Sequence, residues 1–206
     1  MARHMNSRVS RGKVLLTLAV VAAGATAIGA GTYSSFTASA VGGPLTVTSG
    51  TEALTIPAAG ATNRMTVSAT GIVPGDTIQR AVDLQNTGNQ NLASITLTTT
   101  ASPSSVLDTD TTKGLQLVID KCSQAWTESG PPYTYTCGGT TTSVRASVPV
   151  IGSALALSNL SALTATQTDH LRVTMTFPAS ADDTFQNKTS TITFTFNGTQ
   201  RAAGNA

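Results

Sequence analysis

Histidine and glutamate are nearly missing from this sequence: there are two of each in 206 residues. A zinc peptidase of the H-E-x-x-H type needs two histidines one helical turn apart and a glutamate base between them. Here His4 and His170 stand far apart, and neither Glu52 nor Glu128 adjoins them. There is no G-x-S-x-G, and a single histidine outside the basic start is thin material for a serine triad. The phosphate-cradling G-x-x-x-x-G-K-[ST] is absent as well. These gaps point away from an enzyme and call for no cofactor or metal. His170 reads as an exposed residue at the head of a strand. It could join Asp169, Asp182 and Asp183 on a metal only through a constellation the spacing does not announce. Asp182-Asp183 reads as the cap of a helical turn.

Charge is scarce too, at 11 % of residues, and unevenly placed. No acid precedes Glu52, whereas Arg3, Arg8, Arg11 and Lys13 crowd the start. One long uncharged run follows, residues 14–31. Basic start, apolar middle and small-residue exit make a signal peptide. Its glycines and alanines make it a poor permanent span, a retained anchor being the alternative. Two cleavage points fit, after Ala30 or after Ala38-Ser39-Ala40. The later cut discards Tyr33 and Phe36; the earlier one leaves them on the mature chain. Without the basic start, eight Lys and Arg face ten acids, a net charge of −2. No basic patch survives for nucleic acid.

Cysteine is limited to Cys122 and Cys137. After export such a pair forms a disulfide, and a zinc site would want further ligands that the intervening segment lacks. The loop holds the lone tryptophan, Trp126, and Pro131-Pro132. It reads as a packed, stapled hairpin, or alternatively as a binding protrusion.

What the chain does have is threonine, 37 residues of it. Branched side chains suit a pleated, half-buried surface. Alternation of apolar residues marks strands around Leu54/Ile56, Met65/Val67, Ile78–Leu84, Leu92–Leu97, Leu115–Ile119, Tyr133/Tyr135 and Val144–Val150. It is cleanest at Leu171, Val173, Met175, Phe177 and at Ile192, Phe194, Phe196, each with threonines opposite. Pro74-Gly75-Asp76 is a turn before one strand, and Asn86-Thr87-Gly88-Asn89 a turn after it. Residues 153–167 fit either a short helix or a loop with one strand. Short strands at this spacing predict an all-β, antiparallel sandwich, jelly-roll-like, with one disulfide-stapled loop. The expected layout is a signal peptide at 1–30, an extended segment at 31–50, a sandwich domain at 44–200 and a loose tail at 201–206.

Three separated blocks resemble the TasA/camelysin family of secreted bacterial surface and biofilm-matrix proteins. They are GAGTYSSFTASA, with Ala30, Tyr33, Phe36, Ala38 and Ala40; residues 71–97, with Pro74, Gly75, Asp76, Asn86 and Gly88; and residues 169–200. The chain departs from the founding member in being shorter, poorer in Lys and Glu, and in carrying the cysteine loop. The resemblance implies a jelly-roll domain, cleavage by a dedicated signal peptidase and a closing hairpin at 169–200. It also implies self-association through a donated N-terminal strand, for which Leu45 and Val47 are the candidate pocket-filling residues. The plainer alternative pairs residues 44–48 within their own domain. The expectation is therefore a secreted, non-enzymatic structural subunit with no membrane contact after cleavage. A camelysin-like metalloprotease and a monomeric surface binding module are the alternatives.

Overall fold

In the computed structural model, residues 37–41, 53–56, 67–69 and 71–202 are described, with 37–41 and 67–69 as backbone alone. Leu45 and Val47 lie outside them, as do Ala30, Tyr33 and Phe36.

Twelve strands form among these residues: β1 (Thr37–Val41), β2 (Leu54–Thr55), β3 (Val67–Ala69), β4 (Thr77–Asn86), β5 (Leu92–Ala101), β6 (Gln116–Cys122), β7 (Trp126–Ser129), β8 (Thr134–Cys137), β9 (Thr141–Pro149), β10 (Gly152–Ala156), β11 (Thr168–Thr176) and β12 (Ser190–Gln200). All pairings are antiparallel. One sheet runs β1-β12-β5-β10, with β3 also on β12; a second runs β2-β4-β11-β6-β9; β7 and β8 make a separate pair. The chain is all-β and antiparallel, as the alternation predicts.

The alternation explains why each sheet has one dry face. Along β11 and β12 every second side chain is buried. Leu171, Val173 and Met175 from one sheet and Ile192, Phe194 and Phe196 from the other join a single core with Leu84, Leu97 and Leu117. Each such side chain contributes roughly 1.5–3 kcal/mol by leaving water.

The connections differ from the sequence reading in one respect. β4 and β5 belong to different sheets, and so do β11 and β12. The Asn86–Asn89 turn therefore carries the chain from sheet to sheet, and residues 169–200 are not a hairpin. Asn86 is buried and shapes this turn: its Oδ1 accepts from Gly88 N–H at 3.0 Å and its Nδ2 donates to the Gln90 carbonyl at 3.1 Å. Gly88 is buried there. The earlier turn is held similarly. Asp76 Oδ2 accepts from Val73 N–H at 2.9 Å, and Gly75, at φ +100°, donates its N–H to the Phe177 carbonyl at 2.8 Å. A residue with a Cβ is strained at that φ.

Among the described residues, two short helical pieces punctuate the strands. Helix α1 (Val106–Thr109) has Ser105 as its cap, with a reciprocal bond from Ser105 N–H to Asp108 Oδ1 at 2.7 Å. Asp108, buried, also accepts from Ser104 and from Ser190 at the head of β12. A 3-10 turn covers Asp183–Phe185, capped by Asp182, whose Oδ1 accepts from Thr184 N–H at 3.1 Å. That cap is the one the Asp-Asp pair suggested. The ambiguous stretch 153–167 resolves into β10 followed by a loop.

Candidate functional site

Two regions carry the features that sequence reasoning singled out: the edge of β12 and the outer face of the β4-β11-β6 sheet.

The first is backbone chemistry. β12 is the last strand of the core, and its side away from β5 is covered in two pieces. β1 takes Thr195–Thr199, in register Thr37 to Thr199 and Val41 to Thr195. β3 takes Ser190–Ile192. Ala38 and Ala40, read as processing residues, thus lie in the covering strand. Pairing of this kind uses main-chain groups, so the strand's identity is specified weakly and its register by alternate side chains.

The second region is built by the disulfide loop. The Cys122–Cys137 bond is present and closes a β7-β8 hairpin with Trp126 opposite Cys137. The hairpin lies on the sheet. Trp126 is buried, donates its Nε1–H to the His170 carbonyl at 2.9 Å, and stacks 4.4 Å from the Arg172 guanidinium. Arg172 in turn donates to Asp120 at 3.0 Å and to the Tyr135 carbonyl at 3.3 Å. A cation stacked on indole and paired with a carboxylate resists displacement. Tyr135, also buried, donates its hydroxyl to Glu128 at 2.5 Å. Burial first, and the Glu128 acceptor second, push the Tyr135 phenol up to about 12. The loop packs through Trp126 and Tyr135, while its tip, Gly130-Pro131-Pro132, and the outward positions Thr127, Ser129, Thr134 and Thr136 are exposed.

His170 is not the exposed strand-start residue expected. It sits within β11, partly buried, with Nδ1 2.6 Å from Asp83 Oδ1. Asp169 points the other way. It is 2 % exposed, pairs with Lys121 Nζ at 3.0 Å, and accepts the Ala162 N–H at 2.7 Å. Asp182 is held by Lys113 at 2.6 Å. Asp183 accepts from Gln186 Nε2 at 3.0 Å, so the four residues considered together for a metal are spent on separate partners. Among the described residues no three His, Cys, Asp or Glu side chains gather to hold an ion. A peptidase metal finds no fitting donor set among the described residues, because His170 and Asp83 gather no third ligand and both cysteines are bridged. No described helix is long and apolar enough to cross a membrane.

An antiparallel β protein with a bipartite edge cover and a stapled outer hairpin is the class that fold and site define. Within that class, residues 10–120 match the model of the Camelysin metallo-endopeptidase family. The match spans more than half of the chain, which belongs to this TasA/camelysin family. It ends before Cys122, so the hairpin and the strands after it lie beyond it. No curated protein matches the chain.

Proposed function

We propose that this chain is a secreted, non-enzymatic structural subunit of the cell surface or biofilm matrix. It is released by a signal peptidase and self-associates through its N-terminal segment, with the two sheets forming a jelly-roll sandwich. The observation that carries the reading is β1: five N-terminal residues cover the edge of the last core strand by main-chain pairing. The same strand of another copy offers β12 the same groups, so intramolecular cover and intermolecular donation compete on equal chemistry. The missing catalytic motifs agree with a structural role.

The test is the N-terminus and mass of the secreted protein together with its size in solution. A start near Gly31, with high-mass species lost on trimming residues 31–50, is expected. A start at Val41 and a monomer under all assembly conditions would sink the reading. The family's description favours a second reading, a secreted metallo-endopeptidase with no nucleic-acid or cofactor partner beyond its metal. Casein cleavage by the wild type, lost in His170→Ala, would support it; inactivity of both proteins removes it.

A further inference from the structure

The disulfide hairpin does more than pack. On the side of β4 away from β11, β2 pairs only with Gln85 and Asn86. Backbone groups of the odd-numbered residues face that side: Thr87 N–H reaches the Ala53 carbonyl there, whereas Asn86 N–H reaches Gln167 on the β11 side. Gln79 and Ala81 thus present their main-chain groups at the edge, beyond the reach of β2. Neither is met by a strand among the described residues. The Gln79 carbonyl accepts from Arg80 Nη1 at 2.6 Å. The Ala81 N–H donates to the Tyr135 hydroxyl. The Gln79 side chain accepts from Tyr135 N–H at 3.1 Å, and the Ala81 methyl is buried with Trp126 and Tyr135.

Arg80 sharpens the pattern. It pairs with Val173, whose neighbours Leu171 and Met175 face the core, so its position has core parity. Its guanidinium nonetheless lies 5.7 Å from the Tyr133 ring, on the hairpin. The side chain turns around the strand edge to get there. A charge at an inward position and a covering loop are two devices that stop a sheet edge from recruiting another strand.

We propose that the Cys122–Cys137 hairpin, with Arg80, is an edge guard that keeps β4 closed to strand addition by a second copy of this chain. The guard stands whether or not β12 carries assembly. It would leave pairing at the β12 side unaffected. A strand approaching Gln79 or Ala81 has to displace Tyr135 and Arg80 together, and the disulfide keeps Tyr135 close to its place.

Two secreted variants test this by size distribution and residue-resolved hydrogen exchange. In the first, residues 124–139 become Asn-Gly and Cys122→Ser is added; Ser123 N–H already meets the Thr140 carbonyl at 3.0 Å, a spacing a two-residue turn can bridge. Concentration-dependent association beyond the wild type's, with new protection at the Gln79 and Ala81 amides, is expected. An unchanged size distribution, or association without that protection, overturns the proposal. Protection gained at β12 instead would speak to the assembly reading alone. The second variant, Tyr135→Phe, keeps the ring and should fold even if the first does not. Its Ala81 amide should exchange roughly tenfold faster; an unchanged rate also overturns the proposal.

Discussion

Asp169 is nearly sealed from solvent and has two partners, Lys121 Nζ and the Ala162 N–H. Lys121 also donates to Ser161 at 3.0 Å, so the pair ties β6 and β11 to the loop that closes this end of the core. Removing one member of a buried pair leaves a charge uncompensated, at about 3–5 kcal/mol. Lys121→Met is therefore expected to lower unfolding stability by about 3 kcal/mol, read from the urea midpoint at unchanged slope. Adding Asp169→Leu should recover much of that loss. Asp182 behaves oppositely, because it is exposed. Lys113 foremost, then Thr184, holds its carboxyl down at about 2. A depressed carboxyl adds stability above its unfolded pKa of 3.8 and gives it up as pH falls through 2. Solvent screens this pair, so the check is NMR titration: Lys113→Met should return the Asp182 midpoint towards 3.8, and salt should do so in part. The sequence shows Asp169, His170 and Asp182 as neighbours or near-neighbours. It cannot show that strand pleating sends Asp169 and His170 to opposite faces with partners 48 and 87 positions away.

At the scale of elements, the hairpin depends on a protonated phenol. Tyr135 is raised from 10.0 to about 12, so its contribution is complete below pH 10 and lost as pH rises through 12. Ionisation sets a phenolate against Glu128 inside a buried contact. Trp126, the single tryptophan, packs beside it and reports its release. A step in Trp126 emission between pH 10 and 12 is expected, and Tyr135→Phe should abolish that step while leaving global unfolding in place. The long strands were legible because their alternation runs over many residues, as in β11 and β12. β7, β10 and α1 were not. Each is four or five residues long and set by partners: Trp126 by Arg172, β10 by β5, α1 by a cap that reaches Ser190.

For the whole molecule, period-2 patterning fixes which face of a strand is dry but not which sheet it joins. An Asn-x-Gly turn reads alike whether it reverses within a sheet or crosses to the next. That is why the all-β class and the disulfide followed from residue order, while the placement of β5 and β12 did not. The same limit applies to β1, whose partner is more than 150 residues away. Its pairing makes the two cleavage points unequal. A chain starting at Gly31 keeps β1 whole; one starting at Val41 loses four of its five residues and uncovers Phe196–Thr199. With each lost main-chain bond worth about 1 kcal/mol, the shorter form should be less stable by roughly 2–3 kcal/mol. Amides of β12 that face β1 should exchange faster in it, while those facing β5 hold. A peptide of residues 31–50 added in trans should restore both stability and protection, because main-chain pairing does not depend on covalent connection. Restoration would make β1 a strand that any copy can supply. Failure of the peptide, with stability intact in the shorter form, would mean that β12 needs no such cover and that assembly through it has no energetic basis.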